Sequence, residues 1–184
     1  MTDILPIESD RLIIRSFRES DAVAFHGWRN DADVARYTLW DYPYDMERAR
    51  AYCAKMAAAT PFEEGQSYRL IIEEKATGEP VGDIGIGNGT TLEGAGNVRV
   101  SYGLGSNAQG RGYMTEALRA LLPALVEPLG VHTFSADIDA RNPASGRVLE
   151  RLGFRRGQFF EKRTFVKGEW CDEIDYDLPV EELL

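Results

Sequence analysis

"SNAQGRGYMTEALRALL", Ser106–Leu122, decides how this chain is read. Gly110 and Gly112 flank Arg111, and an amphipathic pattern begins at once. Met114, Ala117, Leu118, Leu121, Leu122 and Leu125 fall at i, i+3, i+4, i+7, i+8 and i+11, one apolar face of a helix. Pro123 lies inside that pattern and is expected to kink or end the helix. Glycines ahead of a helix leave backbone N–H groups unobstructed. The first N–H groups of a helix have no internal partner, and the macrodipole is positive there. A strand, a Gly-bearing loop and a helix start together make an anion site, usually for phosphate, and Arg111 adds a fork of donors.

Upstream, "RLIIRSF" (Arg11–Phe17) reads as a strand, and "SDAVAFHGWRN" as a helix with Ser20 at its N-cap. "DMERARAYCAKMAAAT" is a second helix, capped by Asp45 and favoured by its alanines. His26, Trp28, Tyr37, Trp40, Tyr42 and Tyr44 crowd these helices and their connection, where they can form core or wall a pocket. "SYRLIIEE" and "PVGDIGIGN", joined by "KATGE", predict a hairpin, and "NVRVSYGLG" a third strand before the quoted stretch. Downstream, "TFSADID" is a strand. "RNPASGRVLERLGF" is a short helix with Asn142 at the N-cap, Pro143 at N1 and Gly153 just past its end. "RRGQFFEKRTF", "VKGE" and "WCDEIDYDL" close the chain as a hairpin. Strands and helices mix without strict βαβ alternation, which predicts one twisted mixed sheet with helices on both faces.

With 184 residues, 43% of them apolar and 28% charged, the chain suits one ordinary globular domain. No apolar run reaches the roughly 20 residues of a membrane helix. "MTDILPIESDRL" lacks the pattern of a signal peptide, so a cytoplasmic location is expected. Cys53 and Cys171 fit no metal spacing and are expected as free thiols; His26 and His132 are isolated, and no bound metal is expected. A net charge of −9 argues against a nucleic-acid binder. The charge is uneven: residues 1–97 carry net −7, residues 98–163 net +4 and residues 164–184 net −6. A basic island containing the quoted stretch therefore sits inside an acidic chain.

Three phosphate-binding patterns compete for that stretch. A P-loop needs "GK[ST]", which is absent. "GLGSNA", Gly103–Ala108, fits the dinucleotide pattern G-x-G-x-x-A, but the helix would then open at Gly105, where "QGRG" interrupts, and the motif falls mid-chain. The third pattern is Q-x-x-G-x-G/A or a close relative, which "QGRGYM" resembles. Here the chain resembles the GNAT superfamily of acetyl-CoA-dependent N-acetyltransferases, in its RimJ/RimL-like branch. "SDRLIIRSF", "YGLGSNAQGRGYMTEAL", "DARNPASGRVLERLGF" and "VKGEWCDEIDYDL" carry the likeness in order over nearly the whole chain.

The resemblance implies a single GNAT-like α/β domain over residues 1–184. Its mostly antiparallel sheet of about seven strands would be flanked by helices and splayed at the fourth and fifth strands. It implies that backbone N–H groups of Gln109, Gly110, Arg111, Gly112, Tyr113 and Met114 hold the pyrophosphate of acetyl-CoA. Tyr102, Gly103 and Leu104 would offer an open strand edge to the pantetheine amides, as in strand addition, and a backbone N–H there would serve the thioester carbonyl. Asn142 would bond the pantetheine arm, and Ser145 would donate a proton to the leaving thiolate. Arg119, Arg147 and Arg151 are candidates for the nucleotide phosphates and suit a solvated helix face equally well. The sequence departs from the family at Leu149, where many members carry a tyrosine acid, and at Arg99 and Thr164, often acidic in the branch. Glu161, Asp137 and Asp139 are the remaining candidates for a general base; among them Glu161 is taken as catalytic.

Without a clear base, an acceptor of modest pKa is expected. An α-amine, with pKa about 7.7–8.0, is roughly a tenth to a fifth neutral at pH 7; a lysine amine, at about 10.4, only about once in 2,500 molecules. A protein or peptide N-terminus is thus the expected acceptor. A small-molecule amine such as a polyamine or aminoglycoside is the rival, and a non-catalytic acyl-CoA-binding module and a nicotinamide-dinucleotide enzyme stay open. In this fold the N-terminal helices usually wall the acceptor site, and an acidic wall would draw a cationic amine. The loops "YTLWDYPYD" and "GNGTTLEGAGN" are expected to set acceptor choice. The resemblance leaves a homodimer open.

Overall fold

The computed structural model describes residues 4–63, 65–88 and 96–183. Its strands are β1 (Ile7–Glu8), β2 (Leu12–Arg15), β3 (Ser67–Glu74), β4 (Glu79–Asn88), β5 (Asn97–Leu104), β6 (Thr133–Asp139), β7 (Arg155–Val166) and β8 (Glu169–Pro179). They form one eight-stranded sheet in the order β1-β2-β3-β4-β5-β6-β8-β7. Every neighbouring pair is antiparallel except β5 and β6, which run parallel across a helical crossover. The sheet exceeds the expected seven strands by the two-residue β1, too short to leave a pattern in the sequence. The helices are α1 (Ala22–Arg29), α2 (Ala32–Ala35), α3 (Met46–Ala58), α4 (Tyr113–Leu129) and α5 (Pro143–Arg151).

Helices cover both faces, each over its own core. Leu70 and Ile72 of β3 pack into one cluster with α4 and α5, and Ile71 between them packs into another with α1 and α3. The period of two along a strand puts these clusters on opposite faces. The apolar stripe of α4 buries as its spacing predicts: Ala117, Leu118, Leu121, Leu122 and Leu125 are all fully buried. At about 1.5–3 kcal/mol per leucine, this face fixes α4 on the sheet. The same packing explains why Pro123 does not end the helix, which continues to Leu129. Pro123 and Arg119, whose carbonyl loses its helical donor, are both on the exposed side, where water can take that carbonyl.

The α1 boundary also differs from expectation. Ser20 lies inside a 3-10 turn, Glu19–Asp21, and α1 begins at Ala22. The cause is the buried carboxylate of Asp21, which accepts from Arg15 Nη1 and Nη2 at 2.8 Å each and from the Arg18 amide at 2.7 Å. Arg15 Nε also donates to Glu73 at 2.6 Å, so this buried network sets where the helix starts. Elsewhere the caps follow the sequence. Asp45 accepts from the amides of Glu47 and Arg48, at 2.7 and 3.0 Å, and Asn142 caps α5. Lys167 and Gly168, both at positive φ, form the two-residue turn between β7 and β8. Cys53 and Cys171 are free and buried.

What positions the site is the fork between β5 and β6. They pair only at Asn97–Arg99 with Thr133–Ser135. Beyond that, β5 stays with β4 as far as Leu104, and β6 stays with β8 as far as Asp139. The expected splay is therefore present, between strands five and six once β1 is counted. For the Asp45 cap, Asp45→Ala is expected to cost about 1 kcal/mol and to lower Tm by about 2–4 °C, measured by thermal unfolding.

Candidate active site

The fork opens into a cleft of about 430 Å3, within the roughly 300–1,000 Å3 usual for ligand sites. Ser101 and Tyr102 of β5, Ala136–Asp139 of β6, Asn142 at the cap of α5 and Ser145 within it line it. Tyr37, Thr38, Leu39 and Trp40, from the connection after α2, form another wall. The crowded aromatics thus divide: Trp28 and Tyr44 are core, while Tyr37 and Trp40 face the cleft. Lys167, at the tip of the β7–β8 turn, donates to the carbonyls of Ala35 and of Thr38, the latter at 2.9 Å, and ties that turn to the aromatic wall. Residues 89–95 of "GNGTTLEGAGN" lie outside the described residues.

At the fork, Ser145 Oγ donates to Tyr102 Oη at 2.9 Å, and Tyr102 donates to the Ser145 carbonyl at 3.1 Å. The Ser145 amide donates to Asn142 Oδ1 at 3.2 Å, so the helix cap also sets the serine. Burial pushes the Tyr102 phenol above its ordinary pKa and outweighs the lowering by Ser145. The sequence points to Tyr102 only through its backbone; its side chain brings a phenol into the cleft. Leu149, where many members carry a tyrosine acid, is fully buried in the core and does not line the cleft.

Along the other arm, β5 leads into the loop of the quoted stretch. Gly110 and Gly112 take φ of 73° and 79°, the left-handed region that a glycine enters without strain. They turn the chain so that α4 starts at Tyr113. The Gln109 amide, expected among the pyrophosphate donors, is already engaged: it donates to the Ser106 carbonyl at 3.4 Å, while among the described residues no backbone carbonyl accepts from the amides of Gly110 to Thr115. These donors lie at the start of α4, where the helix dipole is positive. Gln109 Nε2 donates to the Leu104 carbonyl at 3.1 Å, and Gly103 has open space at its Cβ position. Arg111 donates to Glu74 at 2.8 Å, and Tyr113 also donates to Glu74. Arg111 therefore braces the loop from β3 instead of standing free. Arg119 and Arg151 share a depression beside Gly112, whereas Arg147 lies exposed on α5 outside it.

The candidate bases separate clearly. Glu161 is exposed on β7 and does not line the cleft. A register shift between Phe160 and Thr164, with Lys162 at φ 51°, decides where its side chain falls. Asp137 and Asp139 do line the cleft, but Asp137 pairs with Arg99 at 2.6 Å and Asp139 with Arg141 at 2.7 Å. Burial alone would raise the pKa of Asp139; the Arg141 hydrogen bonds outweigh it and hold the carboxyl below its ordinary value. Glu169 pairs with Arg141 at 2.9 Å and Glu173 with Arg163 at 3.5 Å. Thr164 pairs opposite Cys171. Cys171 lines the cleft, although it lies outside the quoted motif. Burial and then Asp139 push its thiol pKa up, which disfavours a thiolate nucleophile. The expected acidic wall is reversed: among the described residues, the charged ones of the N-terminal half that line the cleft are Arg29, Arg36 and Arg69.

A splayed sheet, an amide-lined helix start and a capped serine at the fork define an acyl-transfer class of site. Residues 11–155 match the family model described as Acetyltransferase (GNAT) domain, and the chain belongs to that family. Its relatives include the uncharacterized N-acetyltransferase YnaD of Bacillus subtilis (strain 168), 26% identical over 178 residues, 96% of this chain and 98% of that protein. The ribosomal protein uS5-alanine N-acetyltransferase of Escherichia coli (strain K12) is 24% identical over 176 residues, covering 91% of this chain and 87% of its own. Among solved structures, RimL, a ribosomal L7/L12 alpha-N-protein acetyltransferase in complex with coenzyme A, shares the fold. Its TM-score is 0.79 at 20% identity, over 95% of this chain and 97% of that one.

Glu74 joins β3 to the loop. Hydrogen bonds from Tyr113 and Thr77, with Arg111, hold its carboxyl below the ordinary pKa. Its stabilisation is present above the unfolded pKa and is lost as pH falls through the depressed folded value. Glu74→Gln is expected to lower Tm at pH 7. Thermal unfolding from pH 7 to 3 should show the gap from wild type closing over that acidic window.

Proposed function

We propose that this chain transfers acetyl from acetyl-CoA to a primary amine, the N-terminal α-amine of a protein or peptide. The observation that carries the acceptor class is the pairing of Asp137, Asp139, Glu169 and Glu173, the carboxylates lining the cleft, with arginines. An amine that is partly neutral near pH 7 needs little help from such groups; a lysine amine needs a strong base or a desolvating pocket.

The residues fit acetyl-CoA. The amides of Gly110 to Thr115 suit a pyrophosphate. The β5 edge beyond Arg99, at Tyr102, Gly103 and Leu104, is free of β6 and suits the pantetheine amides. Asn142 spends its Oδ1 on the helix cap and keeps its Nδ2 for an acceptor in the cleft. Bound acetyl-CoA would supply the activated acetyl group. Ser145 then carries the proton for the leaving thiolate. Tyr102, whose neutral form burial favours, orients the hydroxyl and can return a proton to it. Burial raises the Cys171 thiol pKa, so direct attack by the amine is favoured over an acyl-enzyme.

The first test is a thermal-shift titration with acetyl-CoA, with NAD as control, on wild type and Asn142→Ala. At a hundredfold excess over Kd, a native-state ligand adds about 2.7 kcal/mol, or about 5–10 °C in Tm. A shift with acetyl-CoA alone, smaller in the variant, is expected; no shift overturns the reading. In turnover, log kcat/KM for an N-terminal peptide is expected to rise with pH and level off near the α-amine pKa of about 8. A higher kcat/KM for a lysine side chain or polyamine would refute the α-amine assignment. Binding without turnover on any amine would leave an acyl-CoA-binding module.

A further inference from the structure

The cationic wall of the cleft contains a buried arginine that the protein satisfies only in part. Arg29 is 6% exposed. Its guanidinium lies over the Trp40 ring, 3.7 Å from Cζ to the centroid, and 4.6 Å from that of Phe25. Asp83 is its ion partner, at 3.8 Å, too long for a hydrogen bond. Asp83 is otherwise engaged: Arg69 Nε donates to it at 2.8 Å, and Trp28 Nε1 donates at 2.9 Å. Arg29 Nε is buried without a hydrogen-bond partner. Two guanidiniums thus share one carboxylate, and this excess of positive charge lines the cleft. A buried polar group without a partner costs free energy that an incoming acceptor can recover. Aromatic contact with the faces of a guanidinium leaves its planar edge, the geometry that matches a carboxylate.

This wall also lies close to the fork. Asp83 stands opposite Gly103 in the strand register, roughly 5 Å away by the spacing of paired strands. Arg69 reaches Ser101 Oγ at 3.5 Å across Gly85. A Cβ on Gly85 would fall 2.5 Å from that oxygen and 2.9 Å from Arg69 Nη1, so glycine here leaves the two side chains room to meet. Arg69 and Ser101 are on the α1 face of the sheet, while Tyr102 packs toward α5.

We propose that Arg29 and Arg69 form a carboxylate subsite for the acceptor. The amine accepted by this chain then belongs to a molecule carrying a carboxylate roughly 5–10 Å away, one to two strand spacings. The carboxylate is either an acidic side chain near a peptide N-terminus or the terminal carboxylate of a short amino-acid-like acceptor. This assignment rests on the acetyl-transfer reading and narrows its substrate class.

The test measures kcat/KM of the intact chain with acetyl-CoA on Ala-Asp-amide, Ala-Ala with a free carboxylate, Ala-Ala-amide and Ala-Lys-amide. At least one carboxylate-bearing acceptor is expected to exceed Ala-Ala-amide by about tenfold, the scale of a charge-assisted hydrogen bond. Which one does so identifies the source of the carboxylate. Arg29→Gln is expected to bring that ratio close to one, and Arg29→Lys to keep only part of it. Equal or better use of Ala-Ala-amide or Ala-Lys-amide, or a ratio that survives Arg29→Gln, overturns the subsite and leaves acetyl transfer standing. The wild-type ratio decides even where a variant does not fold. Should no acceptor be acetylated, the peptide-acetylation reading fails by itself. Binding of acetyl-Ala-Asp-amide against acetyl-Ala-Ala-amide, followed by tryptophan fluorescence, then decides the subsite: tighter anionic binding supports it and equal binding overturns it.

Discussion

Three residue pairs hold β5 to β6, and the site depends on their stopping there. A strand edge released inside a protein carries N–H and C=O groups that must find partners. Here both strands keep their outer neighbours to the end, so each stays hydrogen-bonded on one side while the space between them is open. Arg99 belongs to the last pair, and Asp137 lies two residues beyond its partner Ser135; their ion pair spans the root of the fork. Position 99 thus helps to hold the fork and offers no base. The departure seen in the sequence has a structural meaning.

The electrostatics of the cleft follow from which wall carries which sign. Carboxylates come from β6 and the β7–β8 hairpin, and each is bound to an arginine. Cations come from α1, the segment after α2, and β3, where Asp83 serves two guanidiniums, with Lys167 added at the hairpin tip. The net charge of −9 therefore says little about this surface. The N-terminal half is acidic in composition but cationic where it meets the cleft, because pairing inside the fold selects which charges face inward.

Most of the fold was legible in local chemistry. The apolar stripe of α4, the Asn142–Pro143 start of α5, the Asp45 cap and the Lys167–Gly168 turn all stand where short-range patterns put them. The misreadings come from long-range contacts. Ser20 does not cap α1 because the Asp21 carboxylate, held by Arg15, draws the preceding residues into a 3-10 turn, and Pro123 is overridden by the packing of the leucines around it. At the site, the glycine loop was legible because backbone chemistry marks it, whereas Ser145 entered only through the family resemblance. Arg29, Arg69 and the Tyr102 phenol were not legible, since an arginine in a helix or strand looks solvated until its neighbours are known. Glu161 failed to reach the cleft through a register shift that no pattern in the sequence announces.

Lys167 joins the two ends of the architecture. Its ammonium reaches carbonyls 132 and 129 positions earlier in the chain, across the mouth of the cleft. The entropic cost of closing a span grows only slowly with its length, so a single side chain can tie the closing hairpin to the segment after the opening helices. The mouth of the cleft is thus built from both ends of the chain, and a change at the hairpin tip is a change in the aromatic wall as well.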